Sequence, residues 1–219
     1  MDLNESHQIQ FARYWTQFTD QFQWPDLQAE SLYRSLFTAY TESQRHYHTV
    51  QHIVECLDLF HLIKAQLDDP IAVELAIWFH DAVYDPKASD NEAQSADLMQ
   101  NLCSTLFNQV QIQTVYAWII ATKKHQPALD RDLNYLLDMD LVILGSDPQR
   151  FEEYEQQIQQ EYVWVEPQLY KIKRIEVLEH FFKMKPLYQT EFFKQKFEKK
   201  AKENLKVRIQ IKSDEKSSI

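Results

Sequence analysis

Three clusters of ligand-type residues interrupt apolar stretches of this 219-residue chain. The first is His46-Tyr47-His48-Thr49-Val50-Gln51-His52, in which His48 and His52 stand one helical turn apart, so that a helix aims both rings at the same spot. The second is His80-Asp81, reached after the dense apolar run that begins at Ile71 and ends in Trp78-Phe79. The third is Asp138-Met139-Asp140, set between Tyr135-Leu136-Leu137 and Leu141-Val142-Ile143-Leu144. Polar side chains of this kind are costly to bury unless something binds them. A divalent ion answers all three clusters at once, because neutral imidazole and carboxylate are the ligands of zinc, iron, manganese, nickel, cobalt or magnesium, and the ion offsets the buried negative charge. Such an ion activates water near neutral pH and polarises a phosphoryl oxygen, which is the chemistry of phosphoester hydrolysis. Singly, each cluster has a plainer reading. His80-Asp81 suits a hydrogen-bonded core pair or a helix terminus, Asp140 a capped or ion-paired carboxylate, and His48 a helix cap or a partner of His52 or Asp140. His46 points away from His48 by helical geometry, while His7, His61 and His180 lack matching surroundings.

The elements that must carry these clusters are helical. Phe11, Trp15, Phe18 and Phe22 recur at three- and four-residue steps, and Leu32, Leu36, Phe37 and Tyr40 mark a second helix after Pro25. A third helix is expected from about His48 to Leu67, broken by Asp68-Asp69-Pro70, with the proline suited to the first turn of the next helix. The segment from Ile71 to Val83 is apolar on every side and is expected at the centre of the fold. Ser89 and Asp90 can cap a helix running through Met99 and Leu106. Further helices fit Val110 to Thr122, Leu133 to Leu144, Gln149 to Val163, Pro167 to Lys183 and Thr190 to Val207. A short strand is the expectation for the alternating Leu205-Lys206-Val207-Arg208-Ile209-Gln210-Ile211, and the polar residues 210–219 are expected to be a disordered tail.

Composition agrees with an all-α fold. The chain holds one glycine, Gly145, in 219 residues, whereas sheet proteins with many tight turns need glycine where φ is positive. Hydrophobic residues reach 44%, enough for a core without disulfides, and Cys56 and Cys103 are expected as buried free thiols. No apolar run approaches the roughly 18 residues of a membrane span, and Met1-Asp2-Leu3-Asn4-Glu5 does not read as a leader. The expectation is a cytoplasmic protein. The net charge of -10 is uneven: 11 basic and 5 acidic residues from Lys183 onward leave the rest of the chain at -16. An acidic body attracts cations and argues against nucleic acid as a partner, while the basic stretch Lys194 to Lys212 reads as a solvated helix face.

The ordered set His52, His80-Asp81 and Asp140 resembles the HD superfamily of metal-dependent phosphohydrolases, named for a His-Asp doublet. Arg45-His46-Tyr47-His48 through His52, Trp78-Phe79-His80-Asp81-Ala82-Val83-Tyr84-Asp85, Asn91-Glu92 and Asp138-Met139-Asp140-Leu141 are similar to a bacterial subgroup of that superfamily, over roughly Arg45 to Arg174. The resemblance implies one compact HD-type helical domain over residues 1–209, with a metal-site core at about 45–145. It implies His52, His80, Asp81 and Asp140 as the ligands of a divalent ion. It also implies a phosphohydrolase acting on a small phosphoester such as a nucleotide, or alternatively a non-catalytic nucleotide- or metal-binding regulatory module. Tyr47-His48-x-x-x-His52 is similar to the cyclic-nucleotide phosphodiesterases, in which the first His of such an element protonates the leaving oxygen; carried over, His48 becomes the general acid. Some relatives orient water with an acid just past the doublet, a role open here to Asp85 or Glu92, and helix capping is the other reading of Glu92. Relatives with two ions use a later His; only His125 stands between the doublet and Asp140, which favours one ion. His125, Lys124 and Arg45, together with Lys123, are the candidates for touching a phosphate. Helical HD proteins pair through exposed helix faces, so a homodimer is compatible with the resemblance.

Overall fold

The computed structural model describes residues 3–22 and 24–217, with side chains over 5–22 and 24–211. Met1 and Asp2 of the start read as leaderless, and Ser218 and Ile219 of the expected tail, lie outside the described residues. Among the described residues the chain is all-helical, with ten α-helices, two short 3-10 segments and no strand. None of these helices is long and apolar enough to cross a membrane. The helices are α1 (Leu3–Thr19), α2 (Asp26–Tyr40), α3 (Val50–Ile63), α4 (Pro70–Phe79), α5 (Asn91–Cys103), α6 (Gln109–Thr122), α7 (Arg131–Asp140), α8 (Pro148–Glu161), α9 (Pro167–Lys183) and α10 (Glu191–Ser217). The chain divides into two compact units between Leu136 and Leu137.

In the first unit, α4 is the central element. Asp69 caps it by accepting from the Ala72 amide at 3.0 Å, and Pro70 occupies its first turn, where a missing N–H costs nothing. Every residue from Ala72 to Phe79 is buried, and α4 packs against α3, α5 and α6. The periodic aromatic face of α1 supplies Phe11 and Trp15, whose rings meet Trp78 edge-on with centroids 4.9 and 5.2 Å away. Asp132, at the start of α7, accepts from the amides of Asp68 and Asp69 and so fixes the entry to α4. Cys56 and Cys103 are free and buried, and burial pushes the Cys103 thiol up to about 12.

In the second unit, α10 carries Phe193, Ala201 and Leu205 on one fully buried face at steps of four and eight residues. That face explains why the expected strand over Leu205 to Ile211 is helix instead: Leu205 is buried, while Val207 and Ile211 are largely exposed, so the alternating apolar residues are spread around a helix. The helix then runs through the expected tail as far as Ser217. Gly145 ends the 3-10 segment Leu141–Gly145, and its φ is not positive. The need there is close approach: a Cβ would lie 2.8 Å from Phe197 Cβ and 2.9 Å from the Phe197 carbonyl oxygen. Asn204 fixes the same segment by donating to the carbonyls of Leu144 and Ser146. A buried ion pair, Arg174 to Glu155 at 2.5 Å, links α9 to α8, and Arg208 of α10 reaches the other Glu155 oxygen at 3.4 Å.

Candidate metal centre

His80 and Asp81 emerge where α4 stops. The His80 amide still donates to the Ala76 carbonyl, so the last helical turn fixes the His80 main chain. Its ring is fixed as well, because Nδ1 lies 2.9 Å from the Ile77 carbonyl. A carbonyl only accepts, so Nδ1 carries a proton and Nε2 is the ring atom turned toward the other ligand-type residues. That Nε2 lies 3.1 Å from His52 Nε2 and 3.2 Å from Asp81 Oδ2, with His52 Nε2 and Asp81 Oδ2 3.6 Å apart. Both imidazoles are 2% exposed. His52 arrives from the first turn of α3, and Asp140 stands at the last residue of α7.

His52, His80, Asp81 and Asp140 each offer one ligand atom, and these atoms all lie within 4.8 Å of one another. The donor set fits a divalent ion. Ligand atoms held about 2.0–2.2 Å from a common ion are spaced about 3–4 Å from each other, and imidazole nitrogens with carboxylate oxygens are the atoms such an ion takes. The Nδ1 bond of His80 is the outer contact expected of a ligating histidine, since it sets the tautomer and the ring plane.

The other sequence-derived candidates are placed differently. His48 lies in the turn before α3, not within it, and is not a member of the four-residue group. Its ring stacks on Tyr84, with centroids 4.1 Å apart and planes inclined by 27°, and lies 6.1 Å from the His52 ring. Asp85 is exposed and closes its own loop: its carboxylate accepts from the Lys87 amide, while Asn91 bonds both its amide and its carbonyl. Glu92 pairs with Lys123 at 3.1 Å, and Lys123 also donates to the Ser89 carbonyl. Lys124 is exposed beyond the end of α6. His125, partly buried, takes φ of 48°, the left-handed geometry more often given to glycine after a helix. Arg45 is 5% exposed and spends its donors on Glu42 and on main-chain carbonyls of His48, Asp81 and Ala82, which makes it part of the frame of the site rather than an outward phosphate ligand.

Asp138, the partner of Asp140 in the third cluster, serves a different purpose. It accepts from the amides of Gln189 and Thr190 and from the Thr190 hydroxyl at 2.7–2.8 Å, anchoring the segment that leads into α10. Burial pushes its carboxyl up to about 6, against those donors. Sequence reasoning missed Tyr84 and Tyr47, the aromatic neighbours of His48; the signal was their position directly beside the motif residues. No family model matches the chain, and comparison with curated proteins and with solved structures gives no match either.

Proposed function

We propose that the protein is a metal-dependent phosphohydrolase of HD type that cleaves a small phosphoester, a nucleotide being the leading class. The observation that carries the reading is the convergence of His52, His80, Asp81 and Asp140, with the His80 ring held so that Nε2 faces inward. A divalent ion bound by these residues supplies water activation and polarisation of a phosphoryl oxygen. The chain's own groups do the rest. Ile77 keeps the His80 ring oriented. Tyr84 holds the His48 ring by stacking, beside the His52 ligand, where a protonated imidazole can donate to a leaving oxygen.

The test is elemental analysis of freshly purified protein, followed by a phosphate-release screen over nucleotides with manganese, cobalt or nickel. Turnover that depends on added ion and is abolished in His80→Ala is the expected result. Activity surviving His80→Ala would overturn the assignment, and tight metal or nucleotide binding without any product would replace hydrolysis by a binding role.

A further inference from the structure

The strongest remaining feature is the arginine that precedes the first histidine cluster. Arg45 sits in the turn between α2 and α3, and its charged side chain is buried. A buried guanidinium is tolerated only where its planar array of donors finds acceptors. Here Nη1 donates to the carbonyls of Asp81 at 2.6 Å and His48 at 3.2 Å, Nη2 donates to Ala82 at 3.0 Å, and Nε donates to Glu42 at 3.0 Å. The carbonyls of Asp81 and Ala82 lie just past the end of α4, where the helix no longer provides partners of its own. The fork therefore satisfies the chain immediately after the His-Asp doublet and, with the same nitrogen, the chain four residues before His52.

Aromatic contacts complete the clamp. The guanidinium lies 5.3 Å from the Tyr40 ring centroid and 5.6 Å from that of Tyr84. Tyr40 donates its hydroxyl to the Trp78 carbonyl at 2.9 Å, and Tyr84 is the ring on which His48 stacks. One side chain thus touches the main chain at Asp81 and at His48 and the aromatic support of each.

We infer that Arg45 is the positioning residue of the metal centre, setting the spacing between the His48–His52 segment and the His80-Asp81 doublet; this rests on reading the four-residue group as a metal site. A planar fork is favoured because Arg45 meets four acceptors, three carbonyls and the Glu42 carboxylate, from three separate nitrogens, whereas an ammonium group offers three donors from a single point.

Cobalt(II) titration of the full chain tests it, read by the visible absorption of the bound ion, which reports ligand geometry, alongside thermal unfolding of the metal-free protein. In Arg45→Ala, cobalt affinity is expected to fall about 10- to 100-fold with a shifted absorption band, the usual effect of losing a group that orients metal ligands. Guanidinium added at low millimolar concentration should recover part of that affinity. Arg45→Lys keeps the charge, so it decides the matter should Arg45→Ala fail to fold; it is expected to lose affinity as well, by less. Arg34→Ala, which removes an exposed arginine of α2 outside the clamp, should bind cobalt as the parent does. Variants that are merely less stable, with unchanged cobalt affinity and spectrum, would overturn the inference and leave the metal site standing. Parent protein that takes up no cobalt would instead overturn the metal site itself, and the inference with it.

Discussion

Two acidic regions that look alike in sequence behave in opposite ways, with Asp138 buried and Asp81 half-buried. Around Asp138, a carboxylate meets three donors, two amides and a hydroxyl, and its hydrogen-bonding capacity is met by the chain. Around His80 and Asp81, an imidazole nitrogen meets another imidazole nitrogen and a carboxylate oxygen within 3.1–3.2 Å, all of them atoms of the kind that ligate metals. Donor against acceptor makes a structural latch, whereas a gathering of imidazole and carboxylate ligand atoms suits a cation. Burial of a carboxylate therefore says little about its role until the polarity of its neighbours is known.

Exchanging each acid for its amide separates the two regions most strongly. Asp138→Asn places an NH2 where amides already donate, and is expected to cost roughly 2–4 kcal/mol of stability while leaving the rise in melting temperature on adding cobalt intact. Asp140→Asn should do the reverse, with metal-free stability nearly unchanged and the cobalt-induced rise lost. Thermal unfolding with and without the ion distinguishes them, and a variant at 138 that loses the ion response would collapse the distinction.

Glu74 offers a third kind of buried acid, with neither enough donors nor an ion. It is 1% exposed, its Oε2 lacks a hydrogen bond, and Lys64 stands 3.5 Å away as an ion-pair partner. Burial pushes its carboxyl up to about 7, with Lys64 and Gln21 opposing. Between the ordinary value and 7 the folded chain holds a proton that the unfolded chain has released. The contribution to stability is therefore full at low pH and is lost as pH rises through 7, by at most about 3 kcal/mol. Glu74→Gln should stabilise the protein at pH 8 relative to the parent and much less at pH 5; a gap that does not change with pH would refute this.

The smallest of these effects concerns packing alone. Gly145→Ala drives a methyl into Phe197 and its carbonyl, for an expected loss of about 1–3 kcal/mol in chemical denaturation, with cobalt binding unaltered. Full parental stability would mean that α10 can yield at this point.

Much of the molecule was legible in the residues themselves. Helical spacing located most helices to within a few residues, Pro167 to Lys183 at both ends, although it ended the last helix at Val207 where the chain stays helical to Ser217; Pro70 marked the start of the central helix. The types and order of His52, His80, Asp81 and Asp140 pointed to a shared ion, and these four do converge. Periodicity and propensity are local properties, carried by residues within a turn of one another, so they can be read along the chain. Tertiary packing decided the rest. It assigned Asp138 to the Gln189–Thr190 amides and Asp140 to the ligand group, and it turned Arg45 inward onto main-chain carbonyls. It also carried α10 through a segment whose alternation suggested a strand, and gave the one glycine a role in close contact rather than in a turn. Each of these outcomes depends on which donors, acceptors and surfaces distant segments bring to a residue, and that pairing exists only once the helices are packed.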